Sequence, residues 1–489
     1  MFIGPFDRRK RRQRCNACMK NHLKCSGDSP CTACAKRIQP CNYSVAAQMS
    51  SPILVDQGKQ QTIGTFTMVR RDPKPVSGTR FSRPPTVSNP TLLYFSYYDA
   101  FLERNKFTGL DTPQTDVKRL MKRGDPETYL RDAMLSLGAM QASKLSEDSE
   151  SKKTYHQCAV TSYIRAISGL RRGLCQFDRL KDAQSRARIL WTTLLLGLYE
   201  LMNDPSGDGW LQHLVHGTSQ ALIAGGPSAC TSGSCRRFFT ESKVFEVCRA
   251  IVFNRTTFLA EERWIALSAS LRASSNWSKS QQGLDALLDI VVMCSSLRVQ
   301  AANLIESLQS FATSLSLTER AEAISLQGFT LRDQLHGWAS SYHTSSIFRD
   351  PTTWQDPLPD TDETSLRAEL EPQMLAETFF SATSIYLSGV FDYEICYWQS
   401  LNLPAPTLSE DEIQQHVSLI LVLSQRLMVE TSISPLLLLF PLRVASARAR
   451  QAEQKRQIME LLGLVRSSFA VAGAIVADVE DLWSARVMA

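Results

Sequence analysis

The sequence is short of the features that mark membrane, exported and catalytic chains. No uninterrupted apolar stretch approaches the ~18 residues needed to cross a bilayer. The densest, Ile433 to Phe440, is broken by Pro435 and followed by Pro441 and Arg443. The amino terminus reads Met-Phe-Ile-Gly-Pro-Phe-Asp and then turns basic, without an apolar core or a small-residue cleavage site, so export is not expected. Period-two alternation bounded by turn residues is scarce, which argues against a β architecture. No G-x-S-x-G elbow, Walker loop or dinucleotide fingerprint stands in its expected context, and an enzyme is not expected.

What remains is an ordinary globular composition, 43% hydrophobic and 21% charged, over 489 residues. Such a length suggests about two to four domains.

Cysteine is unevenly placed. Six of the 13 fall at Cys15, Cys18, Cys25, Cys31, Cys34 and Cys41. Their spacing is Cys-x2-Cys-x6-Cys, five residues, and the same half again. Two cysteines separated by two residues at the start of a helical turn can aim both sulfurs at one ion, and helix N–H groups stabilise the thiolate charge. Each half supplies three ligands, whereas a closed structural zinc site needs four. Two shared thiolates resolve the count, giving each of two zinc ions four sulfurs without help from His22, the nearest histidine. A disulfide framework is the alternative, and it suits an exported domain that this amino terminus does not suggest. The seven other cysteines, scattered from Cys158 to Cys396, need not pair.

Charge follows the cysteines. Residues 1–45 hold ten Lys or Arg against two Asp, a net +8, which leaves residues 46–489 with 44 basic and 46 acidic side chains. Arg8, Arg9, Lys10, Arg11, Arg12 and Arg14 place six cations in seven positions. A run of this kind neutralises phosphates with release of counterions, and it also reads as a nuclear import signal.

Residues 15–43, CNACMKNHLKCSGDSPCTACAKRIQPCNY, resemble the fungal Zn2Cys6 binuclear cluster of transcription factors. The six cysteines match, as do Pro30 before the fourth and Tyr43 after the last. The resemblance implies that Cys15 and Cys31 bridge two Zn2+ ions, with Cys18 and Cys25 completing one site and Cys34 and Cys41 the other. It implies a first helix from Cys15 that enters the major groove, while the basic arm, Lys24, Lys36 and Arg37 approach phosphates. Base reading in the family falls three and four places after the second cysteine, usually with a Lys or Arg. Here those places hold Asn21 and His22, with Lys20 one position earlier. Asn offers an amide to adenine and neutral His one donor to guanine, but neither supplies a lysine's charge. A shifted or relaxed preference is therefore expected in place of the usual CGG half-site.

From Ser44 to Pro90 the composition turns to Ser, Gln, Thr and Pro, and Pro73, Pro75, Pro84, Pro85, Gly64 and Gly78 predict a flexible linker. No sustained heptad of apolar residues follows the cluster, so a homodimer stays open without an evident coiled coil to build it.

Residues 91–489 read as helical. Asp125-Pro126-Glu127 reads as a cap before Leu130, Met134, Leu137 and Met140. A second helix runs from Asp182, with Ala187, Trp191, Leu194, Leu195, Leu198 and Met202 lining a face until Asn203-Asp204-Pro205. Ile458, Leu462, Val465, Phe469 and Ala472 form a third face. The segments WTTLLLGLYELM, GWLQHLVHG and PLLLLFPLRVASARAR are similar to the fungal-specific transcription factor domain, which implies a regulatory role that senses metabolites or partners.

The expected fold is mainly α: basic arm 1–14, two-helix Zn2Cys6 module 15–43, linker 44–90, and a large all-helical regulatory domain 91–489. The expected function is a nuclear DNA-binding regulator of RNA polymerase II transcription, serving a metabolic or secondary-metabolite gene cluster. Its partners would be double-stranded DNA and transcription machinery or co-regulators, with no membrane. The competing reading is a zinc-stabilised co-regulator that does not itself read bases. An enzyme carrying a DNA-targeting module is the reading from a third class.

Four smaller features carry bland expectations. His213 and His216 read as a structural pair without a third metal ligand. Cys230 and Cys235, in AGGPSACTSGSC, read as a flexible surface loop more than as a disulfide. The acids Asp360, Asp362, Glu363, Glu369 and Glu371 read as a solvated loop. Asp478, Glu480 and Asp481 with Leu482 and Trp483 fit either an activation segment or a closing amphipathic helix.

Overall fold

The computed structural model describes residues 32–37, 90–107, 112–121, 128–174, 182–207, 217–309, 315–342 and 364–488. The helix expected from Cys15 and the linker up to residue 89 lie outside them. The described residues fall in two units, and each is mainly α. The first contributes one short helix, α1 (Thr32–Arg37).

The second unit begins at α2 (Pro90–Arg104). Proline suits that first position, because the first N–H groups of a helix have no internal acceptor. Then come α3 (Thr112–Met121), α4 (Tyr129–Leu145), α5 (Ser149–Leu174) and α6 (Ala183–Asn203). The α4 helix starts at Tyr129 with Thr128 in the N-cap position, a correction to the start expected at Asp125-Pro126; Asp125 to Glu127 themselves lie outside the described residues. Its predicted apolar positions Leu130, Met134, Leu137 and Met140 are all buried. The α2 and α4 backbones cross at Gly138, where any Cβ would collide with the Tyr94 carbonyl oxygen.

The α6 helix starts where the sequence predicts. The Asp182 carboxylate accepts from the N–H groups of Gln184 and Ser185, both at 3.1 Å, and the chain leaves the helix at Asp204. The apolar positions expected to line a face are all buried, and so is every other residue from Ile189 to Tyr199, so α6 has no solvated face over that stretch. It is enclosed by α4 and by the helix Gly233–Val252, and its hydroxyls turn inward on the helix. Thr192 donates to the Arg188 carbonyl and Thr193 to that of Leu190, each at 2.7 Å.

Next are α7 (Gln220–Gly225), α8 (Gly233–Val252), α9 (Glu262–Ala273), α10 (Lys279–Gln309), α11 (Leu315–Tyr342) and α12 (Thr364–Asp392). Over Lys279–Leu308, α10 is the one helix among the described residues long and apolar enough to cross a membrane. It is an interior helix here, 61% buried over its most apolar window and packed by α8, α11 and α12. Asp285 and Asp289 interrupt it, and both are held in ion pairs. The Trp338 indole N–H donates to the Gly283 carbonyl at 2.7 Å and seats α11 on α10.

The chain closes with α13 (Ile395–Ser400), α14 (Glu410–Glu430), α15 (Leu439–Ser446), α16 (Ala452–Ser468) and α17 (Ala472–Met488). Pro435 does interrupt the apolar run, which forms a 3-10 turn at Pro435–Leu438 before α15. Ile458, Leu462 and Val465 lie buried on α16, but that helix stops at Ser468. Phe469 flanks it and Ala472 opens α17, so the predicted continuous face is two elements joined by a turn.

This last third folds back onto the first helices of the unit. The Lys106 N–H donates to the Ser432 carbonyl at 2.9 Å, and the Ser434 N–H to that of Lys106 at 2.8 Å. This isolated bridge is the β pairing found among the described residues. Phe101 meets Phe469 edge-on at 6.2 Å, and the Val471 N–H bonds the Leu201 carbonyl at 3.2 Å.

Candidate metal centre and nucleic-acid interface

Of the predicted site residues, the described structure holds Cys34, Lys36 and Arg37, all on α1. Cys15, Cys18, Cys25, Cys31 and Cys41 lie outside the described residues, as do Arg8, Arg9, Lys10, Arg11, Arg12, Arg14, Lys20, Asn21, His22 and Lys24. Cys34 is 3% exposed, while Lys36 and Arg37 are exposed in the last turn. Lys36 lies two residues beyond Cys34, roughly 200° round the helix, so the sulfur and this cation take opposite faces. Cations at a helix carboxyl end also complement its dipole.

A helix of six residues is too short to persist alone in water, since isolated helices below ~12–15 residues are marginal. Its sequence, TACAKR, offers no large apolar side chain to fix it to a core. The side chain known to be buried is a thiol, the group that a zinc ion would hold. Six thiols at metal spacing with one placed inward on a short helix fit a thiolate-bound metal: soft sulfur ligands suit Zn2+, and the bond energy substitutes for an apolar core.

In the helical unit, no group of three or more His, Cys, Asp or Glu among the described residues is arranged to hold a metal. His213 and His216 lie outside the described residues. The segment around Cys230 and Cys235 is not the expected flexible loop. It forms a 3-10 turn, Pro227–Cys230, between Gly226 and Gly233, whose φ angles of 68° and 64° favour glycine. Both cysteines are buried. Burial pushes the Cys230 thiol up to about 12 and raises that of Cys235 despite the nearby Arg186. Little thiolate would be present at neutral pH, so exchange chemistry is disfavoured.

The acidic segment is also corrected. Glu369 and Glu371 belong to α12, and buried Glu371 accepts from the Ser432 N–H at 3.2 Å. The α12 helix extends through both positions, so they are not part of a loop. Asp360, Asp362 and Glu363 lie outside the described residues. At the carboxyl end, α17 is a packed closing helix: Asp478 pairs with Arg443 at 2.5 Å and the Trp483 indole N–H donates to the Ser446 carbonyl at 2.9 Å.

Sequence reasoning missed a buried ion cluster. The Lys243 ammonium, its side chain 1% exposed, stands 2.8 Å from Asp285 and 2.6 Å from Asp289 and donates to the Ser268 hydroxyl at 2.6 Å. Arg272 contacts both aspartates. Burial opposes the Arg272 charge, but the two carboxylates outweigh it and raise its pKa. The cluster ties α8, α9 and α10 together. Its sequence signal was Asp285 and Asp289 at i and i+4 inside an otherwise apolar helix, a polar pair that needs partners if buried.

Two family models match the chain. One described as the fungal Zn(2)-Cys(6) binuclear cluster domain covers residues 13–50. One described as a fungal specific transcription factor domain covers residues 93–488. The first domain binds two zinc ions, and neither family is catalytic. No curated protein and no solved structure matches the chain.

Proposed function

We propose, from the premise that the chain belongs to the fungal specific transcription factor family and carries its binuclear zinc cluster, that it regulates RNA polymerase II transcription by reading DNA directly. Membership makes it a DNA-binding transcription factor and implies a nuclear location. The finer assignments are carried over from the family resemblance. Cys15 and Cys31 bridge, Cys18 and Cys25 complete one site, and Cys34 and Cys41 complete the other.

When bound, the two zinc ions supply the folding energy and crosslinks that so small a module lacks. Residues 15–43 are then the reading head, 1–14 its phosphate-binding arm, 44–90 a spacer, and 91–489 the regulatory part. The observation that carries this reading is α1, where the thiol of Cys34 is buried and Lys36 and Arg37 are exposed. Metal on one side and phosphate on the other is the division of labour that a cluster docked on a duplex requires. Arg8, Arg9, Lys10, Arg11, Arg12, Arg14 and Lys24 join the phosphate set. Lys20, Asn21 and His22 face the bases, with an amide and an imidazole in place of the usual cation. The targets are a metabolic or secondary-metabolite gene cluster, an inference from family likeness. Binding in cells at promoters outside any such cluster would remove that part alone.

The test is selection from a random DNA pool with the full-length, zinc-loaded chain at stated salt. An enriched motif that differs from CGG half-sites supports direct reading. Two bound zinc ions with no enriched motif would overturn it. Asn21 and His22 favour a second reading in that event, a zinc-stabilised co-regulator recruited by another DNA-bound protein.

A further inference from the structure

A crevice opens in the helical unit between α6, α8, the Pro435–Ser446 segment and α17. Ten residues line it, and none of their side chains carries an oxygen or a nitrogen. Leu201, Phe245 and Ile475 are almost fully buried within it, each 2% exposed or less. Cys248 and Val252, near the carboxyl end of α8, are partly exposed, and Leu436 and Leu439 face solvent slightly, at 8% each. About 430 Å3 of non-atom space lies at the crevice, open solvent at its mouth included. Its inner part has room for roughly two or three waters.

Water gains little there, because an ordered water needs two to four polar partners and these side chains provide none. Enclosed apolar cavities stay dry and accept apolar guests, and the inner part of this crevice has the same kind of lining. A dry space also forfeits the dispersion contacts its lining would make with a guest. Ligand pockets are typically a few hundred cubic ångströms and mostly apolar, and polar groups supply their orientation. This one has no such group among its side chains, so it selects by size and neutrality.

We infer that the crevice is a binding site for a small, neutral, apolar molecule about the size of a single substituted aromatic ring. The guest would touch four elements that are distant in sequence. It would hold α17 and the Pro435–Ser446 segment against α6 and α8, beside the point where the Val471 N–H bonds the Leu201 carbonyl. The inference does not depend on how the cysteine module reads DNA. Its readouts come from the helical unit alone.

The test uses the full-length, zinc-loaded chain with toluene as probe and benzoate as its charged counterpart. Toluene should raise the unfolding midpoint of the helical unit saturably, by about 1–3 °C, and should receive magnetisation from the protein in ligand-observed NMR. Benzoate at the same concentration should do neither, since nothing in the crevice pairs its charge. Val252→Trp, at the partly exposed rim, should plug the site and abolish the saturable shift. Leu439→Ala, which enlarges the mouth, should move the preference from toluene towards propylbenzene, and it serves if the tryptophan variant does not fold. A toluene response that fails to saturate, is matched by benzoate, or is unchanged in both variants would overturn the proposal.

Discussion

Helices α1 and α6 sit at opposite ends of a physical scale. The first has six residues and its buried anchor is a thiol, Cys34. The second has 21 residues and buries every side chain from Ile189 to Tyr199, including Trp191 and Tyr199. Apolar burial contributes roughly 25 cal/mol per Å2, so α6 is held by what surrounds it. The α1 helix has no comparable apolar area to bury. One chain therefore combines a unit stabilised by burial with a domain that binds two zinc ions, where metal–sulfur bonds are expected to take the place of that burial. The difference leads to the expectation that DNA binding and bulk stability can be perturbed separately.

The largest separation should come from removing zinc. Chelation of the full-length chain should abolish DNA binding while the thermal transition of the helical unit keeps its midpoint. Cys34→Ala is the point version. It should lower the zinc content below two per chain and weaken DNA binding beyond the roughly 10–100-fold that loss of an outer-shell partner costs in metal affinity. Zinc analysis, a mobility-shift titration and circular dichroism together check it. A coincident loss of the helical transition would show that the units are not independent.

The same contrast explains what could be read from the sequence. The zinc-cluster domain was legible because metal chemistry fixes ligand type and spacing locally, and the family match over residues 13–50 covers the spacing of Cys15 to Cys41. The ends of α6 were legible too, since the Asp182 cap and Pro205 act within one turn. What surrounds α6 was not, because burial on all sides is decided by helices far away in sequence. The Lys243, Arg272, Asp285 and Asp289 cluster was hidden for the same reason: the lysine and the nearer aspartate are 42 positions apart. Asn21 and His22 were visible as a departure, but which bases, if any, they meet depends on the docked geometry of the duplex.

The second largest effect lies in the helical unit. Lys243→Met should leave Asp285 and Asp289 short of a buried cation, with Arg272 as the remaining partner. Breaking a buried pair this way costs about 3–5 kcal/mol, read as a lower denaturant midpoint. DNA affinity per folded molecule should not change. A variant as stable as the parent would mean that the cluster is already solvated.

Thiol counting sharpens the comparison further. In the zinc-loaded chain at pH 7.5, exposed Cys396 should alkylate before the buried Cys230 and Cys294. Burial pushes both of those thiols up to about 12, so the reactive thiolate becomes abundant only as the pH rises towards that value. Adding a chelator should release up to six further reactive thiols, all between Cys15 and Cys41, without exposing Cys294. Mass spectrometry of the modified peptides reads both counts.

A smaller change is expected from the exposed face of α1. Lys36→Ala should weaken DNA binding about equally for all sequences and reduce the slope of log affinity against log salt by roughly one unit. An unchanged slope would remove Lys36 from the phosphate contacts, with the zinc assignment intact.

The smallest effect belongs to a cap on the burial side. Ser409 accepts from the Glu412 N–H at 3.4 Å, while the Glu412 carboxylate accepts from the Ser409 N–H at 2.8 Å, a reciprocal box at the start of α14. Ser409→Ala removes one half of it and should cost about 1 kcal/mol. The loss should appear in the denaturation of the helical unit and nowhere in the zinc content or the salt slope. Cap and cluster both fix a helix locally, yet one shares its work with a buried core and the other does not. A Ser409→Ala variant that also shed zinc would mean that the small module borrows stability from the large one.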